Sequence, residues 1–246
     1  MKIEILDSVE STNRYCELLD LENVGEFTCY WAHRQTAGIG QRGNHWYSGA
    51  PGEALTFSVV LKPTFLAAAE QFKLTQTISL ALCDFLSHFT LHLSPLIKWP
   101  NDIYVDGGKL CGILTSCRVG GNMLSTAVCG IGLNVNHTAF PEWVPLPTSL
   151  RLITGQEYDL EPLLTSLLAA LESRYNRLRQ GESMEEEYLS RLMLLGKAAH
   201  YRYRGEEVTA TIKGVDGYGH LLAETADGRQ LCCGLKEIEF LQFAVK

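Results

Sequence analysis

The sequence lacks the segments that direct a protein into or across a membrane. None of its apolar runs approaches the ~18 residues needed to span a bilayer, and residues 1–7 contain no signal-peptide core. With 246 residues, 46% hydrophobic and 20% charged, the chain has an ordinary globular composition. That length suits one large domain, or a large domain and a small one. We therefore expect a cytoplasmic protein with no membrane partner.

Positive charge and paired cysteines are scarce as well. The formal net charge is −7, which argues against a duplex-binding protein because such proteins carry a basic face. The eight cysteines form no Cys-x-x-Cys pair, and in a reducing compartment such residues behave as small buried apolar side chains. Cys83 with His88 and His92 comes nearest to a ligand cluster, but it lacks a second cysteine. No metal site is expected there.

Internal repeats and a regular βαβ order are also absent, which favours an α+β fold with a mixed sheet. Strands are predicted at residues 27–33, 54–62, 96–99, 103–105, from 109 onward and at 124–132, and helices at 64–89, 159–179 and 183–195. Ser183 and Glu186 suggest a capping box for the last helix. Five short strands follow Gly196, at 200–204, 207–213, 220–225, 230–235 and 237–243, which predicts a small β-barrel. We expect a mixed-sheet domain over 1–195, flanked by helices, and a barrel domain over 196–246.

Residues 34–53 hold five glycines and predict a long functional loop. Within it, residues 38–43 satisfy Gly-x-Gly-x-x-Gly, the fingerprint of dinucleotide-binding folds. That fingerprint requires a helix starting in the glycines and an acidic residue about twenty positions later. Residues 44–52 include Pro51 and two further glycines and cannot form the helix, and the acidic residue is missing. A Rossmann fold is therefore excluded.

The glycine loop still carries side chains suited to a ligand. Arg34 and Arg42 lie near the ends of the glycine run, and Trp46 follows just beyond it. Arginine binds phosphate or carboxylate through a bidentate fork, and tryptophan either stacks on a planar base or fills a core. The pattern alone leaves open a ligand-binding loop and an ordinary surface loop with a buried Trp46.

A second motif joins residues 98–102, Lys-Trp-Pro-Asn-Asp, to a hairpin whose return strand begins at Lys109. A lysine fixed on a rigid strand suits phosphate oxygens that develop charge in a transition state. Asp102 could orient that lysine or help to hold Mg²⁺, and Gly112 leaves room for a ligand. The alternative is a solvated Lys–Asp pair of little energetic value. In a third motif, residues 130–136, Asn134 could read a nucleobase edge or simply form a turn.

Together these stretches resemble biotin protein ligases, also called holocarboxylase synthetases. The resemblance covers nearly the whole chain and is carried by Ser11-Thr12-Asn13, Gln35-Thr36-Ala37-Gly38 with the glycine loop, Lys98-Trp99-Pro100-Asn101-Asp102, Lys109-Leu110-Cys111-Gly112-Ile113-Leu114 and Gly130-Ile131-Gly132-Leu133-Asn134. It implies a class II synthetase-like catalytic fold. The segment after Gly196 resembles the family's SH3-like C-terminal domain.

The resemblance implies a two-step, AMP-forming ligase that uses ATP with Mg²⁺. Biotin carboxylate attacks the α-phosphate of ATP to give biotinyl-5′-AMP and pyrophosphate, and a carrier lysine then takes the biotin and releases AMP. The implied acceptor is the biotin carboxyl carrier domain of a carboxylase such as acetyl-CoA carboxylase. Because the Ser-Thr-Asn motif already stands at residue 11, we expect no amino-terminal DNA-binding domain and no DNA partner. A homodimer is compatible with the fold.

The resemblance also implies roles for individual residues. Lys109 would be the catalytic residue, contacting the biotin carboxylate and the α-phosphate. The implied biotin-binding residues are Ser11, Thr12, Asn13, Gln35, Gly38, Gly40, Lys109 and Gly112. The implied ATP- and adenylate-binding residues are Ile39, Gln41, Arg42, Gly43, Trp46, Asn101, Asp102, Lys109 and Asn134. No residue is a firm metal ligand, and Asp102 is the candidate Mg²⁺ contact.

Two other functions remain as alternatives. A lipoate–protein ligase would share the catalytic fold and the adenylation chemistry, but its site should be a long apolar tunnel rather than one that ends in polar ureido contacts. A non-catalytic biotin-binding regulator would bind without turnover. The intact surroundings of Lys109 argue against that second alternative.

One departure from the family pattern generates a prediction. The family's loop usually reads Gly-Arg-Gly with a further arginine two positions on, whereas this chain has Ile39 and Gln41. An apolar side chain cannot supply a charge-assisted contact, typically worth about 1.5–3 kcal/mol. We predict that Arg42 compensates only in part and that Ile39→Arg slows the release of free biotinyl-AMP. The measurement is the release rate from each protein, and equal rates would contradict the prediction.

Overall fold

The computed structural model describes residues 2–90 and 92–241, apart from the side chain of Arg42. The strands of its main sheet are β1 (Lys2–Leu6), β2 (Thr28–Ala32), β3 (Ala54–Leu61), β4 (Leu96–Lys98), β5 (Asp102–Val105), β6 (Gly108–Gly120) and β7 (Met123–Asn134). They lie in the order β1-β2-β3-β7-β6-β5-β4. Only β1 and β2 pair in parallel, and the other neighbours are antiparallel. The predicted α+β class with a mixed sheet is confirmed.

Helices cover the sheet and connect its strands. They are α1 (Thr12–Glu17), α2 (Gln71–Ser87), α3 (Leu150–Thr154), α4 (Leu160–Arg179) and α5 (Glu185–Ser190). The side chain of Asp159 caps α4 by accepting a hydrogen bond from the amide of Glu161. Among the residues described, no helix combines the length and apolar character needed to cross a membrane.

The two faces of the main sheet differ in side-chain size. On one face, large residues of the central strands, Phe57, Ile113 and Ile131 among them, belong to the same buried cluster as leucines of α2 and α4. On the other face the central strands carry Ser58, Gly130 and Gly132, and α1 lies there. Because strand side chains alternate between faces, this division assigns one face to the core and leaves the other with space above it.

The hairpin between β5 and β6 is closed by a two-residue loop. Asp106 and Gly107 both have positive φ, 49° and 75°, which is the backbone of a type I′ turn. The turn matches the right-handed twist of the two strands, and it sends Lys109 into the first positions of β6. The predicted glycine turn and the predicted return strand are both confirmed.

All five strands expected after Gly196 are present within the described residues. They are β8 (Ala198–Tyr203), β9 (Glu206–Val215), β10 (Leu221–Thr225), β11 (Gln230–Cys233) and β12 (Ile238–Phe240). They form one antiparallel sheet in the order β11-β10-β9-β8-β12. Residues 242–246, at the end of the expected barrel domain, lie outside the described residues.

Two helix predictions were wrong at their ends. The helix predicted from residue 64 begins at Gln71, because the chain before it pairs with the start of β7 through Leu66 and Ala68. The capping box at Ser183 does not form, and α5 begins at Glu185 and ends at Ser190. After Ser190 the backbone pairs with Ile97 of β4, so the chain covers the edge of the main sheet instead of continuing a helix.

One arginine ties three helices together. The Arg174 side chain in α4 is 9% exposed, and its Nε lies 2.6 Å from Oδ2 of Asp84 in α2, while its Nη1 lies 2.5 Å from Oε2 of Glu187 in α5. Partial burial raises the pKa of Glu187, but hydrogen bonds from Arg174 and Arg177 outweigh it and hold that pKa below its usual value. Removing Arg174 would leave two carboxylates without their buried partner.

We therefore predict that Arg174→Met lowers the free energy of unfolding by about 1.5–3 kcal/mol at neutral pH, the range typical of a hydrogen bond to a charged group, because the two carboxylates it leaves are partly exposed. Because the folded-state pKa of Glu187 is lowered, this stabilisation is present above the unfolded-state pKa and is lost as the pH falls through the folded-state value. The control is Arg151→Met, whose partner Glu157 is 69% exposed and whose loss should stay below about 1 kcal/mol. Urea unfolding at two pH values measures both variants, and equal losses would contradict the assigned role.

Candidate active site

The floor of the candidate site is bare backbone at the centre of the main sheet. Gly112 of β6 and Gly132 of β7 are directly paired neighbours, and both lie under the indole ring of Trp46. A Cβ atom at Gly112 would lie 2.9 Å from Cζ3 of Trp46, and one at Gly132 would overlap the ring. At Gly130, a Cβ atom would overlap the side chain of Asn13. These glycines therefore make room for Trp46 and Asn13 on the side of the sheet opposite the large core residues.

Trp46 is held above this floor by a small closed turn in the glycine loop. The amide of Trp46 donates to the carbonyl of Gly38 at 2.9 Å, and the amide of Gly40 donates to the carbonyl of Asn44 at 2.7 Å. A 3-10 turn over Gln41–Gly43 forms the tip. Nε1 of Trp46 is buried over Gly132 and has no hydrogen-bond partner among the described residues. An unpaired buried donor costs about 1–3 kcal/mol.

One end of the site is a network of neutral polar groups from α1 and its surroundings. Ser58 Oγ lies 2.8 Å from Oγ1 of Thr12 and 2.6 Å from Oδ1 of Asn13. The Thr12 amide donates to Oε1 of Gln35 at 2.8 Å, and Nδ2 of Asn13 donates to the carbonyl of Leu114 at 2.9 Å. Ser11, Thr12 and Asn13 are each no more than 3% exposed. Buried and already ordered, these groups can recognise an uncharged polar ligand with little loss of side-chain entropy.

The other end carries charge. Nζ of Lys109 lies 2.6 Å from Oδ2 of Asp102, and both side chains are about one quarter exposed (26% and 28%). The same Nζ lies 6.0 Å from the centre of the Trp46 ring. The backbone of Lys109 is fixed as well, since its amide donates to the carbonyl of Leu146 and its carbonyl accepts from the amide of Thr148. Lys109 is therefore a preorganised cation beside an aromatic ring.

Two asparagines support this end from behind. Asn134 donates through Nδ2 to the carbonyls of Lys109 and Thr148, at 3.3 and 3.0 Å, and its buried Oδ1 has no partner in the described part of the chain. Asn101 donates to the carbonyl of Ile113 at 3.1 Å and accepts from Nε2 of Gln41 at 3.2 Å. The Gln41 contact joins the tip of the glycine loop to the turn before β5. Both asparagines are buried; Asn134 fixes the backbone at Lys109, and Asn101 fixes it at Ile113 on the same strand.

These parts enclose a cavity of about 450 Å³. Its lining includes eleven of the residues singled out from the sequence, namely Ser11, Thr12, Asn13, Gln35, Ile39, Gly40, Gln41, Trp46, Asp102, Lys109 and Gly112. Gly38, Gly43, Asn101 and Asn134 lie next to the cavity and not in its lining. The side chain of Arg42 falls outside the described part of the chain. The binding roles of all these residues stay predictions.

The lining also contains residues to which the sequence assigned no binding role. Gly130 and Gly132 stand in the third motif, where two glycines spaced by one residue on a central strand could have indicated an open face. His45, Lys98 and Pro145 also contribute. The C-terminal sheet adds residues 238–240, and no local pattern links these residues to a site more than 100 positions earlier.

The cysteines next to the site are not nucleophiles. Burial raises the pKa of the Cys111 and Cys129 thiols far above neutrality. Both side chains are almost fully buried, at 0% and 2% exposure. A buried thiol in apolar surroundings stays protonated and inert, so the chemistry of the cavity falls to Lys109, Asp102 and the hydrogen-bonding groups.

Solved structures that share this architecture include biotin protein ligases. The biotin protein ligase of Aquifex aeolicus in complex with biotin and ATP has a TM-score of 0.79 and 26% identity, covering 97% of this chain and 99% of that chain. The biotin protein ligase of Leishmania major in complex with biotinyl-5-AMP has a TM-score of 0.62 at 20% identity, covering 95% and 98%. The second likeness concerns the fold alone.

Sequence relatives agree with the structures. The biotin–[acetyl-CoA-carboxylase] ligase of Paracoccus denitrificans is 32% identical over 210 residues, 81% of this chain and 85% of the relative. The bifunctional ligase/repressor BirA of Bacillus subtilis is 30% identical over 227 residues, 90% of this chain and 69% of the relative. Residues 5–134 match the Biotin/lipoate A/B protein ligase family, and residues 194–233 match the Biotin protein ligase C terminal domain. The chain belongs to the biotin/lipoate A/B protein ligase family, as its motifs predict.

The glycine floor yields a prediction about Trp46. Gly132→Ala should displace the indole ring, because the added methyl group would occupy its place. In protein labelled with 5-fluorotryptophan, the ¹⁹F signal of Trp46 should move and broaden while those of Trp31, Trp99 and Trp143 stay unchanged. The matched control is Gly120→Ala, whose Cβ would meet its nearest neighbour at an ordinary 3.5 Å. An unmoved Trp46 signal in Gly132→Ala would show that the ring does not rest on this glycine.

Proposed function

We propose that this chain is a biotin protein ligase that activates biotin with ATP and transfers it to a lysine of a carrier domain. The observation that carries the proposal is the single cavity that joins the neutral network at Ser11–Asn13 to the Lys109–Asp102 pair under Trp46. A ligand with an uncharged polar head and a carboxylate tail fits between these two ends. Family membership supports the same chemistry.

Biotin fits this cavity better than lipoate does. The ureido ring of biotin offers two N–H donors and a carbonyl acceptor, and the network of Thr12, Asn13 and Gln35 holds both donors and acceptors. A dithiolane ring has no N–H or C=O group with which to use these donors and acceptors. The match of residues 194–233 to the Biotin protein ligase C terminal domain also favours biotin.

In the proposed first step Lys109 binds the biotin carboxylate and an α-phosphate oxygen together. Its charge offsets the repulsion between the two anions and stabilises the negative charge that develops as the carboxylate attacks. Asp102 holds the ammonium group in place at 2.6 Å. Since the lysine is already oriented, little reorganisation is required when the transition state forms.

The glycine loop protects the product of that step. Trp46 covers Gly112 and Gly132 and offers its indole face to the adenylate. A mixed anhydride is easily hydrolysed, so a loop that excludes water preserves it until the carrier lysine arrives. In the second step the amine of that lysine attacks the biotinyl carbonyl, and AMP leaves with the former bond electrons on its phosphate oxygen.

Mg²⁺ suits this cavity as a companion of ATP. The ion is usually held by one or two carboxylates together with substrate phosphates and water, and Asp102 faces the cavity beside Lys109. Asp102 would supply a carboxylate oxygen, and the ion would neutralise charge on the phosphates. A second carboxylate in the lining, that of Glu239, is paired with Arg202 at 2.7 Å.

The remaining elements of the proposal concern the setting of the reaction. The proposed acceptor is a biotin carboxyl carrier domain, in line with the names of the relatives. A cytoplasmic location agrees with the eight free cysteines. We propose residues 1–195 as the catalytic domain and 196–246 as the C-terminal domain. The absence of DNA binding and the formation of a homodimer stay predictions.

The function is tested by ATP–pyrophosphate exchange with Mg²⁺, with biotin and lipoate assayed in parallel. We expect exchange with biotin alone. Lys109→Ala should keep the fold, as judged by circular dichroism, and lose about 10²–10³-fold in exchange rate, the loss typical of one preorganised charge contact. Lys73→Ala on the surface of α2 is the matched control and should keep wild-type turnover.

Each other outcome contradicts part of the proposal. Exchange with lipoate alone would make the chain a lipoate ligase, and biotin binding without any exchange would make it a regulator. Wild-type turnover in Lys109→Ala would refute the role of that lysine.

A further inference from the structure

A turn in the C-terminal sheet is locked by a single carboxylate. Asp216, just after β9, accepts hydrogen bonds from the amides of Tyr218 and His220 at 2.9 and 2.8 Å, and from Nδ1 of His220 at 2.8 Å. The amide of Gly219 also donates to the Asp216 carbonyl at 3.0 Å. Asp216, His220 and Cys232 come close enough to share a cation, but the carboxylate is already occupied by these bonds. Its structural effect is a rigid turn that presents Gly219.

Gly219 is the point at which this turn meets the other sheet. Its carbonyl accepts a buried hydrogen bond from Nε1 of Trp99 at 3.0 Å. Its φ of +91° suits glycine, and a Cβ atom here would overlap the ring of Phe72 in α2. Trp99 is 4% exposed and belongs to the main hydrophobic core. The missing side chain of Gly219 therefore allows a close backbone approach to Trp99 and Phe72.

The residue before Trp99 meets the same sheet. Nζ of Lys98 lies 5.5 Å from the ring of Tyr104 in β5 and 5.4 Å from the ring of Phe240 in β12. One ring belongs to the main sheet and the other to the C-terminal sheet, so the ammonium group lies between them. Lys98, Trp99 and Phe240 also line the cavity. Two consecutive residues of the 98–102 turn thus rest on the C-terminal sheet.

We propose that the C-terminal sheet positions the 98–102 turn for adenylation, with Gly219 as the positioning residue. Gly219 touches no substrate in this proposal and acts through Trp99. The turn it supports ends at Asp102, whose carboxylate holds Lys109 at 2.6 Å. A shift of Trp99 is transmitted along this short, buried turn to the carboxylate that orients the lysine. The expected effect on catalysis rests on the proposed ligase function. The positioning of the 98–102 turn by Gly219 does not depend on that function.

The chain supplies a matched pair of variants for the test. Gly219→Ala and Gly205→Ala both place alanine in a turn of the C-terminal sheet at a φ of +91°. They share the backbone strain, but a Cβ at Gly205 meets no atom within 4 Å, whereas one at Gly219 meets Phe72. Any difference in behaviour between the two variants is therefore due to the contact of the Gly219 turn with Phe72 and Trp99, because the backbone strain is the same in both.

The first readout is hydrogen exchange of the backbone amides of residues 98–105 in the ligand-free protein. We expect faster exchange in Gly219→Ala and unchanged exchange in Gly205→Ala. Equal rates of hydrogen exchange in the two variants would overturn the proposal, whatever their enzymatic activity. Phe72→Leu combined with Gly219→Ala should restore part of the protection, because the smaller side chain leaves room for the added methyl group.

The second readout is biotin-dependent pyrophosphate exchange. Gly219→Ala should lower kcat by about tenfold or more and raise the KM for biotin by a clearly smaller factor, because the misplaced Lys109 no longer meets the reacting groups correctly while the Ser11–Asn13 network still binds the head of biotin. Trp99→Phe, which keeps a ring but removes the N–H donor, should show the same split between kcat and KM. Wild-type kcat in both variants would refute the positioning role. If the wild-type protein showed no pyrophosphate exchange, the ligase function would be refuted instead. Hydrogen exchange of the backbone amides would still test the positioning role of Gly219.

Discussion

The candidate site depends on one packing constraint, the pairing of Gly112 with Gly132 at the centre of the main sheet. Central strands are normally covered on both faces by side chains at close-packed density. Here one face lacks Cβ atoms at adjacent positions, so a tryptophan ring and a ligand can approach the backbone directly. The opposite face carries large apolar residues that pack against α2 and α4. The sheet can therefore be both the core of the domain and the floor of a cavity.

The charged end of the cavity follows from that floor. Lys109 stands three residues before Gly112 on the same strand, and the register shift at Leu110 in the pairing of β5 with β6 brings the lysine to the same face, beside the ring. The type I′ turn at Asp106–Gly107 fixes the register of the hairpin, and Asp102 on the facing strand then meets the ammonium group. Backbone geometry, rather than long-range electrostatics, brings the two charges together. The lysine is oriented before any substrate binds, which is what an adenylation site requires.

Much of this arrangement could be predicted from the sequence, because it is encoded locally. The hairpin, the strand at residues 54–61 and the long loop are each specified by patterns within about twenty residues. Other features depend on pairings between distant segments. The end of α5 is set by β4, and the cavity wall at Ile238–Phe240 by the packing of a second sheet. Neither feature is encoded by a local sequence pattern, because the segment that determines it lies about 100 or more residues away in the chain.

In the glycine loop, local contacts compensate for the replacement of the arginines that the family pattern implies. At a position where the family resemblance implies arginine, Gln41 donates to Asn101, and Asn101 is buried and bonded to the backbone of β6. The loop tip is thus tied to the 98–102 turn by a neutral hydrogen bond, and Ile39 adds apolar surface to the cavity wall. The neutral hydrogen bond between Gln41 and Asn101 holds the loop closed in the absence of a phosphate ligand. An arginine that bound the phosphate would instead make closure of the loop depend on that ligand. Retention of the adenylate in this chain should therefore depend on the closure of the loop as well as on charge.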